Sequence, residues 1–397
     1  MRIAVISNTT WYLYNFRLSH MLAYQQAGHE VIAIGPDEPH YISKIEAAGI
    51  PHHVFNVSGD GINPVRELQS LWSLVKTLKR LRIQVILSNT PKGNIYAAVA
   101  ARLLGIAIIP NVSGLGHVFI HPSWLTHLVK LFYRIAFAYP QHVMFQNRDD
   151  HDFFIQQRLI RPQQAKLIPG SGIDLLRFIP PASTTEQGSK ETSDKSLTFL
   201  LPARLLWDKG VGEFVEAARH IRQRYPQMRF QLLGSTDIAN PAAIPQATVK
   251  QWHQEGVVEY LGKTDNVIPF IQQADCVVLP SYREGTPRSL LEASSMGKPI
   301  ITTNTVGCRN VVEEGITGYL CRLQDANDLA QKMLQLLSLG TEQRLQMGLA
   351  GRRKMEREFD EKIVIDTYLQ TIRDKTYRLR KRDFIMNGLK KLTFYTK

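Results

Sequence analysis

The feature that most constrains how this chain folds is a repeated alternation. Short apolar runs recur along it, each followed by a turn and a helical pattern. In the first half they are Arg2–Ser7, Val31–Ile34, Val54–Val57, Val85–Ser88, Ile106–Val112, Val143–Gln146 and Lys166–Ile168. In the second they are Leu197–Leu201, Phe230–Leu233, Val258–Leu261, Cys276–Leu279 and Pro299–Thr302. Runs that are apolar on both faces suit parallel strands covered by helices on each side. Ile95–Leu104 reads as one of the crossover helices. Pro180–Ser196, PPASTTEQGSKETSDKS, interrupts the alternation; it is nearly free of large apolar residues and reads as a linker. The expected fold class is therefore α/β, with two Rossmann-like, doubly wound parallel-sheet domains at 1–179 and 197–365, a linker at 180–196 and a final segment at 366–397. Such sheets bind ligands at the carboxyl ends of their strands, and a cleft lies between the two domains.

The loops at those carboxyl ends hold the residues of interest. Asn8–Arg17 reads as a polar, aromatic loop leading into a helix that ends at Gly28; Asn15 and Arg17 on it are placed to meet a phosphate. After Val112 comes Ser113-Gly114-Leu115-Gly116, whose glycines let a backbone approach a ligand closely. His117 then projects at the ligand edge, able to donate to a sugar hydroxyl or a phosphate. In the first turn of the second half, Arg204 and Lys209 bracket the passage from strand to helix. A guanidinium fork and an ammonium point charge together suit a diphosphate.

Ser281–Gly297, SYREGTPRSLLEASSMG, reads as turn and helix after a buried strand, with Pro287 in the first helical turn. Glu284 on the turn and Glu292 inside the helix stand eight residues apart. At that separation they share neither one proton nor one metal ion, and must hold different parts of something long. Between them, near Gly285 and Thr286, the N–H groups of a helix start offer an anion site. Hydroxyls at both ends and an anion in the middle describe a nucleotide-sugar. Asp150-x-Asp152 has the form of a metal-binding pair, but it lies where a helix starts. Capping and the helix dipole account for it, and no metal site is expected.

The formal net charge of +13 points to a phosphate-rich ligand, nucleic acid or an anionic membrane. From Thr371 to Lys397 nine Lys and Arg stand against two Asp, interleaved with residues such as Phe384, Ile385, Leu389 and Phe394. That pattern suits an anionic bilayer surface; no nucleic-acid module accompanies it. Pro122–Tyr139, with Lys130 and Arg134, reads either as a core helix or as one resting on a membrane. No run reaches the ~18 apolar residues of a spanning helix. The N-terminus lacks the apolar core of a signal peptide. Cys276, Cys308 and Cys321 form no CxxC pair, which favours a reducing compartment. The expected location is cytoplasmic, peripheral on the inner face of the cell membrane.

Arg204 after its strand, Lys209 five residues on, Glu284-Gly285-x-Pro287 with Glu292 beyond, Gly307, and then Val311–Leu320 together resemble the retaining, family 4-like glycosyltransferases of GT-B fold. The resemblance covers essentially the whole chain; the set of motifs is specific, though no one of them is. It implies that Arg204 and Lys209 hold the donor diphosphate, Glu284 the donor sugar and Glu292 the ribose. It also places His117 beside the transferred sugar. By their positions, Gly285 and Thr286 fall in the same pocket and Asn15 and Arg17 on the acceptor side. The resemblance further implies a final helix that crosses back onto the first domain. The loop Ser7–Arg17 and the segment from Gly234 to Pro241 resemble a branch that extends lipid-linked oligosaccharides, including N-acetylgalactosaminyltransferases acting on undecaprenyl-diphosphate-linked sugars. Two features depart from the family pattern: the first loop lacks the frequent Gly-Gly pair, and Asn310 stands where many members have Glu. The implied partners are a UDP-sugar, a polyprenyl-diphosphate-linked glycan and an anionic membrane surface, with no cofactor, no metal and no nucleic acid. A nucleotide-sugar epimerase or hydrolase of the same fold, or a non-catalytic binding protein, stays open at this point.

Overall fold

The computed structural model describes residues 1–55, 64–115, 117–120, 123–181, 196–236, 238 and 240–374. Most of the expected linker (182–195), the basic tail from 375 onward and the side chain of His117 lie outside the described residues.

Two all-parallel sheets carry the fold. The first comprises β1 (Arg2–Ile6), β2 (Glu30–Gly35), β3 (His52–Val54), β4 (Val85–Asn89), β5 (Ala107–Val112), β6 (Val143–Phe145) and β7 (Ala165–Leu167), in the order β3-β2-β1-β4-β5-β6-β7. The second comprises β8 (Thr198–Pro202), β9 (Arg229–Leu233), β10 (Glu259–Tyr260), β11 (Cys276–Leu279), β12 (Ile300–Thr303) and β13 (Gly318–Cys321), in the order β10-β9-β8-β11-β12-β13. β13 is the strand the apolar pattern does not flag. Its Gly318 backs onto the Ile300 carbonyl so closely that a Cβ would sit 1.9 Å from the oxygen.

The helices are α1 (Thr10–Gln26), α2 (Pro39–Ala47), α3 (Pro64–Arg80), α4 (Pro91–Leu104), α5 (His117–Ile120), α6 (Trp124–Phe137) and α7 (Arg148–Gln156) around the first sheet. Around the second are α8 (Val211–Arg224), α9 (Gln246–Gln254), α10 (Ile268–Gln273), α11 (Arg288–Ser295), α12 (Ala326–Ser338) and α13 (Thr341–Lys354); the last described helix, α14, covers residues 361–374. α1 starts earlier than the sequence suggests. Thr9 caps it, its hydroxyl accepting from the Tyr12 N–H at 3.2 Å, so Asn15 and Arg17 lie within the helix rather than on a loop.

Strand side chains alternate between faces, and the cores follow that parity. Ala4 and Ile6 point with Ile86 and Ile108 into the layer under α3, α4, α6 and α7. Ile3 and Val5 point with Val85 and Leu87 toward α1 and α14. α14 places Val364, Ile365, Tyr368 and Ile372 in this first-domain core, while Ile173 and Phe178 sit in the core of the second. The two crossings run side by side: the Ile173 N–H donates to the Phe359 carbonyl at 2.8 Å, and the Glu361 N–H to the Ile173 carbonyl at 3.1 Å. The chain therefore changes domain at Ile173 and at Asp360, not at 179 and 365. An apolar side chain belongs to the core that buries it, and composition alone does not show which core that is.

Candidate active site

In a doubly wound sheet the ligand crevice opens where neighbouring strands send their chains in opposite directions. Those points are β1/β4 in the first domain and β8/β11 in the second. Arg204 and Lys209 follow β8, and Glu284, Gly285 and Thr286 follow β11, so the second-domain residues meet at one switch point. Lys209 ends the short 3-10 turn Trp207–Lys209 and pairs directly with the Glu284 carboxylate; both side chains are mostly buried. Two glycines let these loops stack. Gly210 (φ +71°) lies where a Cβ would fall 2.1 Å from the Pro280 carbonyl, and Gly307 (φ +79°) where one would fall 2.4 Å from the Glu284 carbonyl. The Glu284 N–H is held by the Val306 carbonyl at 3.1 Å. Arg204 is exposed on the same edge.

Glu292 lies one turn into α11, with Arg288 Nε on its Oε1 at 2.9 Å. Burial pushes the Glu292 carboxyl up, and Arg288 pulls it back down. Arg288 also donates from Nη1 to the Asn15 carbonyl at 2.5 Å and stacks 5.0 Å over the Phe16 ring. The carboxylate expected at the ribose is thus positioned by a residue that also grips the first domain. Pro287 is the N-cap of α11, one residue before the first turn where it is expected.

Gly285 and Thr286 are interdomain contacts as well as pocket candidates. The Asn147 Nδ2 donates to the Gly285 carbonyl at 2.8 Å, and the Thr286 hydroxyl to the Gln146 carbonyl at 2.9 Å. A Cβ on Gly285 would lie 2.3 Å from the Ser113 carbonyl, so the loop after β5 and the loop after β11 meet backbone to backbone. His117 starts α5 directly after that β5 loop.

On the acceptor side the structure differs from expectation. Arg17 is buried, its Nε on Asn89 Oδ1 at 2.9 Å, Nη1 on His20 Nδ1 at 3.3 Å and Nη2 on the Tyr12 hydroxyl at 3.1 Å. It braces β4 against α1 from within rather than facing the cleft. Asn15 contributes its backbone carbonyl, taken by Arg288, and its Nδ2 bonds the Trp11 carbonyl at 3.0 Å. Asp150 and Asp152 do not converge. Asp150 is buried against Arg283 and Asn147, while Asp152 pairs with His151 at 2.7 Å. Asn147 caps α7, accepting from the Asp150 N–H at 2.7 Å.

Arg283, Arg288 and Asn147 join the site without being flagged by motif or position in the sequence. Arg288 had a signal, since it stands four residues before Glu292 on the same helix, where an opposite charge is a natural partner. Asn147 and Arg283 act across the cleft, and no local spacing reveals that.

Comparison with known proteins fits this architecture domain by domain. The profile described as "Glycosyl transferase 4-like domain" matches residues 17–170, and that described as "Glycosyl transferases group 1" matches residues 196–339. The chain is 29% identical over 382 residues to N,N'-diacetylbacillosaminyl-diphospho-undecaprenol alpha-1,3-N-acetylgalactosaminyltransferase of Campylobacter jejuni, covering 93% of this chain and 98% of that one. It is 27% identical over 283 residues to UDP-Gal:alpha-D-GlcNAc-diphosphoundecaprenol alpha-1,3-galactosyltransferase of Escherichia coli, covering 69% of this chain and 72% of that one. In fold it matches Anabaena HepE, solved with UDP and glucose (TM-score 0.75, 19% identity, 94% of this chain and 100% of that one). It also matches the sucrose-phosphate synthase of Thermosynechococcus elongatus (TM-score 0.77, 18% identity, 95% and 100%). With one glycosyltransferase profile on each sheet domain and motif residues of the second meeting at its switch point, the chain belongs to the GT-B glycosyltransferases.

Proposed function

We propose that this enzyme moves a sugar, an N-acetylhexosamine, from a UDP-sugar to a polyprenyl-diphosphate-linked glycan during assembly of bacterial surface glycans. The observation that carries the reading is the cluster at the second-domain switch point: Lys209 on Glu284 and, on the following helix, Arg288 on Glu292, pressed against first-domain loops. Similarity along nearly the full length of the Campylobacter enzyme supports the acceptor class.

In this reading the donor diphosphate lies near Arg204 and Lys209, the ribose on Glu292, and the sugar between Glu284 and His117. Transfer proceeds with retention. The acceptor oxygen forms its bond to the anomeric carbon on the face that the nucleotide leaves, the carbon–phosphate oxygen bond breaks, and the departing β-phosphate takes the acceptor proton. The chain's part is positioning and charge stabilisation of the leaving diphosphate. Its cations supply that charge without a bound metal. The reaction takes place at the cytoplasmic face of the membrane; among the described residues no helix is long and apolar enough to cross one.

The test is a panel of UDP-sugars with polyprenyl-diphosphate-linked acceptors, reading UDP release and the anomeric configuration of the product. UDP release that requires the lipid-linked acceptor supports the reading. Free sugar or an epimer formed without acceptor would place the chain among hydrolases or epimerases, and an inverted product would reject retention.

A further inference from the structure

One carboxylate of the second domain is gripped by three donors of the first. Asp265 lies in the loop between β10 and α10, and the donors stand on α2. His40 Nε2 is 2.8 Å and Lys44 Nζ 2.6 Å from its Oδ2, and the Tyr41 hydroxyl donates to its Oδ1 at 3.2 Å. A carboxylate only accepts, so His40 carries a proton on Nε2. The bonds from His40 and then Lys44 hold the Asp265 carboxyl down at about 2, so it stays ionised far below neutral pH. Both partners are built for the meeting. On α2 the donors stand at i, i+1 and i+4, within one face of the helix. Glu38, the N-cap of α2, accepts the Trp11 N–H at 2.7 Å and ties the start of α2 to α1. Lys44 Nζ lies 5.1 Å over the Tyr14 ring and 5.7 Å over the Tyr41 ring, which fixes the ammonium between them. Opposite, the Asn266 N–H donates to the Thr264 hydroxyl at 3.0 Å and the Ile268 N–H to Asn266 Oδ1 at 3.3 Å, so Asp265 sits on a bonded turn.

The place of this contact gives it a mechanical role. In the first sheet α2 follows β2, near one edge, and the chain leaves for the second domain after β7, the opposite edge. In the second sheet β10 is an edge strand, whereas Ile173 packs with Leu290 and Leu291 of α11. The crossings at Ile173 and Asp360 thus lie at one end of the seam between the domains. The grip of Arg288 on Asn15 and Phe16 of α1 comes next, and Asp265 on α2 stands farthest out. A bond remote from a hinge opposes opening with the greatest leverage. The Asp265 side chain is 38% exposed, and exposed ion pairs add little to folding stability. Bonds of that kind are readily broken and remade. We propose that Asp265 with His40, Tyr41 and Lys44 forms a latch that holds the cleft closed on the donor during transfer and releases for UDP-sugar entry and UDP exit. The four are positioning residues, acting through closure of the domains. The purpose of the latch rests on the proposed use of a UDP-sugar; its hold on the two domains does not.

The test compares the full parent chain with Asp265→Lys, with Lys44→Asp and with the two exchanged together. All four should melt alike, because the residues are exposed at the seam. Each single variant should have a larger radius of gyration by small-angle X-ray scattering. In stopped-flow mixing with UDP, its association and dissociation rates should both rise, by about threefold or more, because a looser latch leaves the cleft open more of the time. Single-turnover transfer from prebound UDP-sugar should slow by a similar factor. The double exchange re-forms the ion pair with its charges reversed and should return each of these quantities toward the parent. A dissociation rate that rises alone would make Asp265 a local contact rather than a gate and overturns the proposal. Scattering and rates unchanged in both single variants overturn it as well, as does a double exchange that behaves like the single ones. If the parent binds no UDP, the functional reading fails, and the scattering series by itself still decides the latch.

Discussion

Replacing Arg283 by Met tests what holds the two domains together beside the donor loop. Asp150 at the start of α7 is fully buried, and its carboxylate pairs with Arg283, which reaches across from the loop after β11. The Asn147 Nδ2 donates to the other oxygen at 3.0 Å. Burial pushes the Asp150 carboxyl above its ordinary range, with Arg283 and then Asn147 opposing that push. Met keeps much of the volume and removes the charge, leaving the carboxylate with one amide partner. Breaking a buried pair from one side costs ~3–5 kcal/mol. The carboxyl escapes part of that cost by taking up a proton. Without Arg283 its folded pKa rises further above the unfolded value, so between the two values the folded state binds more protons. Stability then falls as pH rises through that window. Arg283→Met should therefore lose least under acidic conditions and most at neutral pH and above. Asp150→Asn carries no such charge and leaves an arginine whose side chain is 20% exposed and able to reach water. It should cost less, ~1–3 kcal/mol, with little pH dependence. Urea unfolding of the parent and both variants at about pH 5 and about pH 8 reads the difference, which should fall in the first transition because the pair joins domains. Equal losses at both pH values for Arg283→Met, or a larger loss in acid, would refute the reasoning.

Glu292→Ala and Arg204→Ala should each weaken donor binding by ~1.5–3 kcal/mol, about 10–100-fold, measured by calorimetry with UDP; unchanged affinity in both, with the fold intact, rejects the pocket assignment. Activity should survive EDTA, and loss restored by Mg²⁺ or Mn²⁺ would overturn charge stabilisation by side chains alone. Gly307→Ala should cut turnover sharply, because its Cβ would lie 2.4 Å from the Glu284 carbonyl at a φ of +79°; activity within twofold of the parent would show that the loop yields freely. Arg288→Lys keeps the charge but not the fork. It should raise both donor Kd and acceptor KM, whereas Glu292→Ala should raise donor Kd alone; matching effects from the two would deny Arg288 its interdomain role.

The sheets were legible because parallel strands buried on both faces leave uninterrupted apolar runs. The apolar run Cys276–Leu279 matches its strand to the residue, and most other runs match theirs to within one or two. β13 escaped because Gly318 contributes backbone rather than a side chain, and α1 was entered late because Thr9 caps a helix whose first turns are polar and aromatic. On the site, Lys209 and Glu284 were found as residues of one edge; their pairing was not, since it depends on Gly210 and Gly307 letting two loops stack. Arg17 departs from expectation for the opposite reason. A cation near a strand end suggests a ligand, and only the fold shows Asn89, His20 and Tyr12 closing around it.

The pairing of site residues with one another has a mechanical consequence. A free Lys and a free Glu at a ligand edge each sample many rotamers, and ordering them costs about 0.5–1.5 kcal/mol per side chain when the ligand arrives. The Lys209–Glu284 and Arg288–Glu292 pairs meet that cost during folding. They also keep the edge from becoming a bare cluster of charge: Arg204, Lys209 and Arg288 against Glu284 and Glu292 leave one net positive charge to attract a diphosphate. Arg288 carries the argument further. Because the same guanidinium holds Glu292, the Asn15 carbonyl and the Phe16 ring, a donor that pulls on Glu292 also pulls on α1 of the other domain. The donor pocket and the first domain are therefore joined by direct bonds through this one guanidinium, which is why losing Arg288 should reach both sides of the cleft while losing Glu292 should reach the donor side alone.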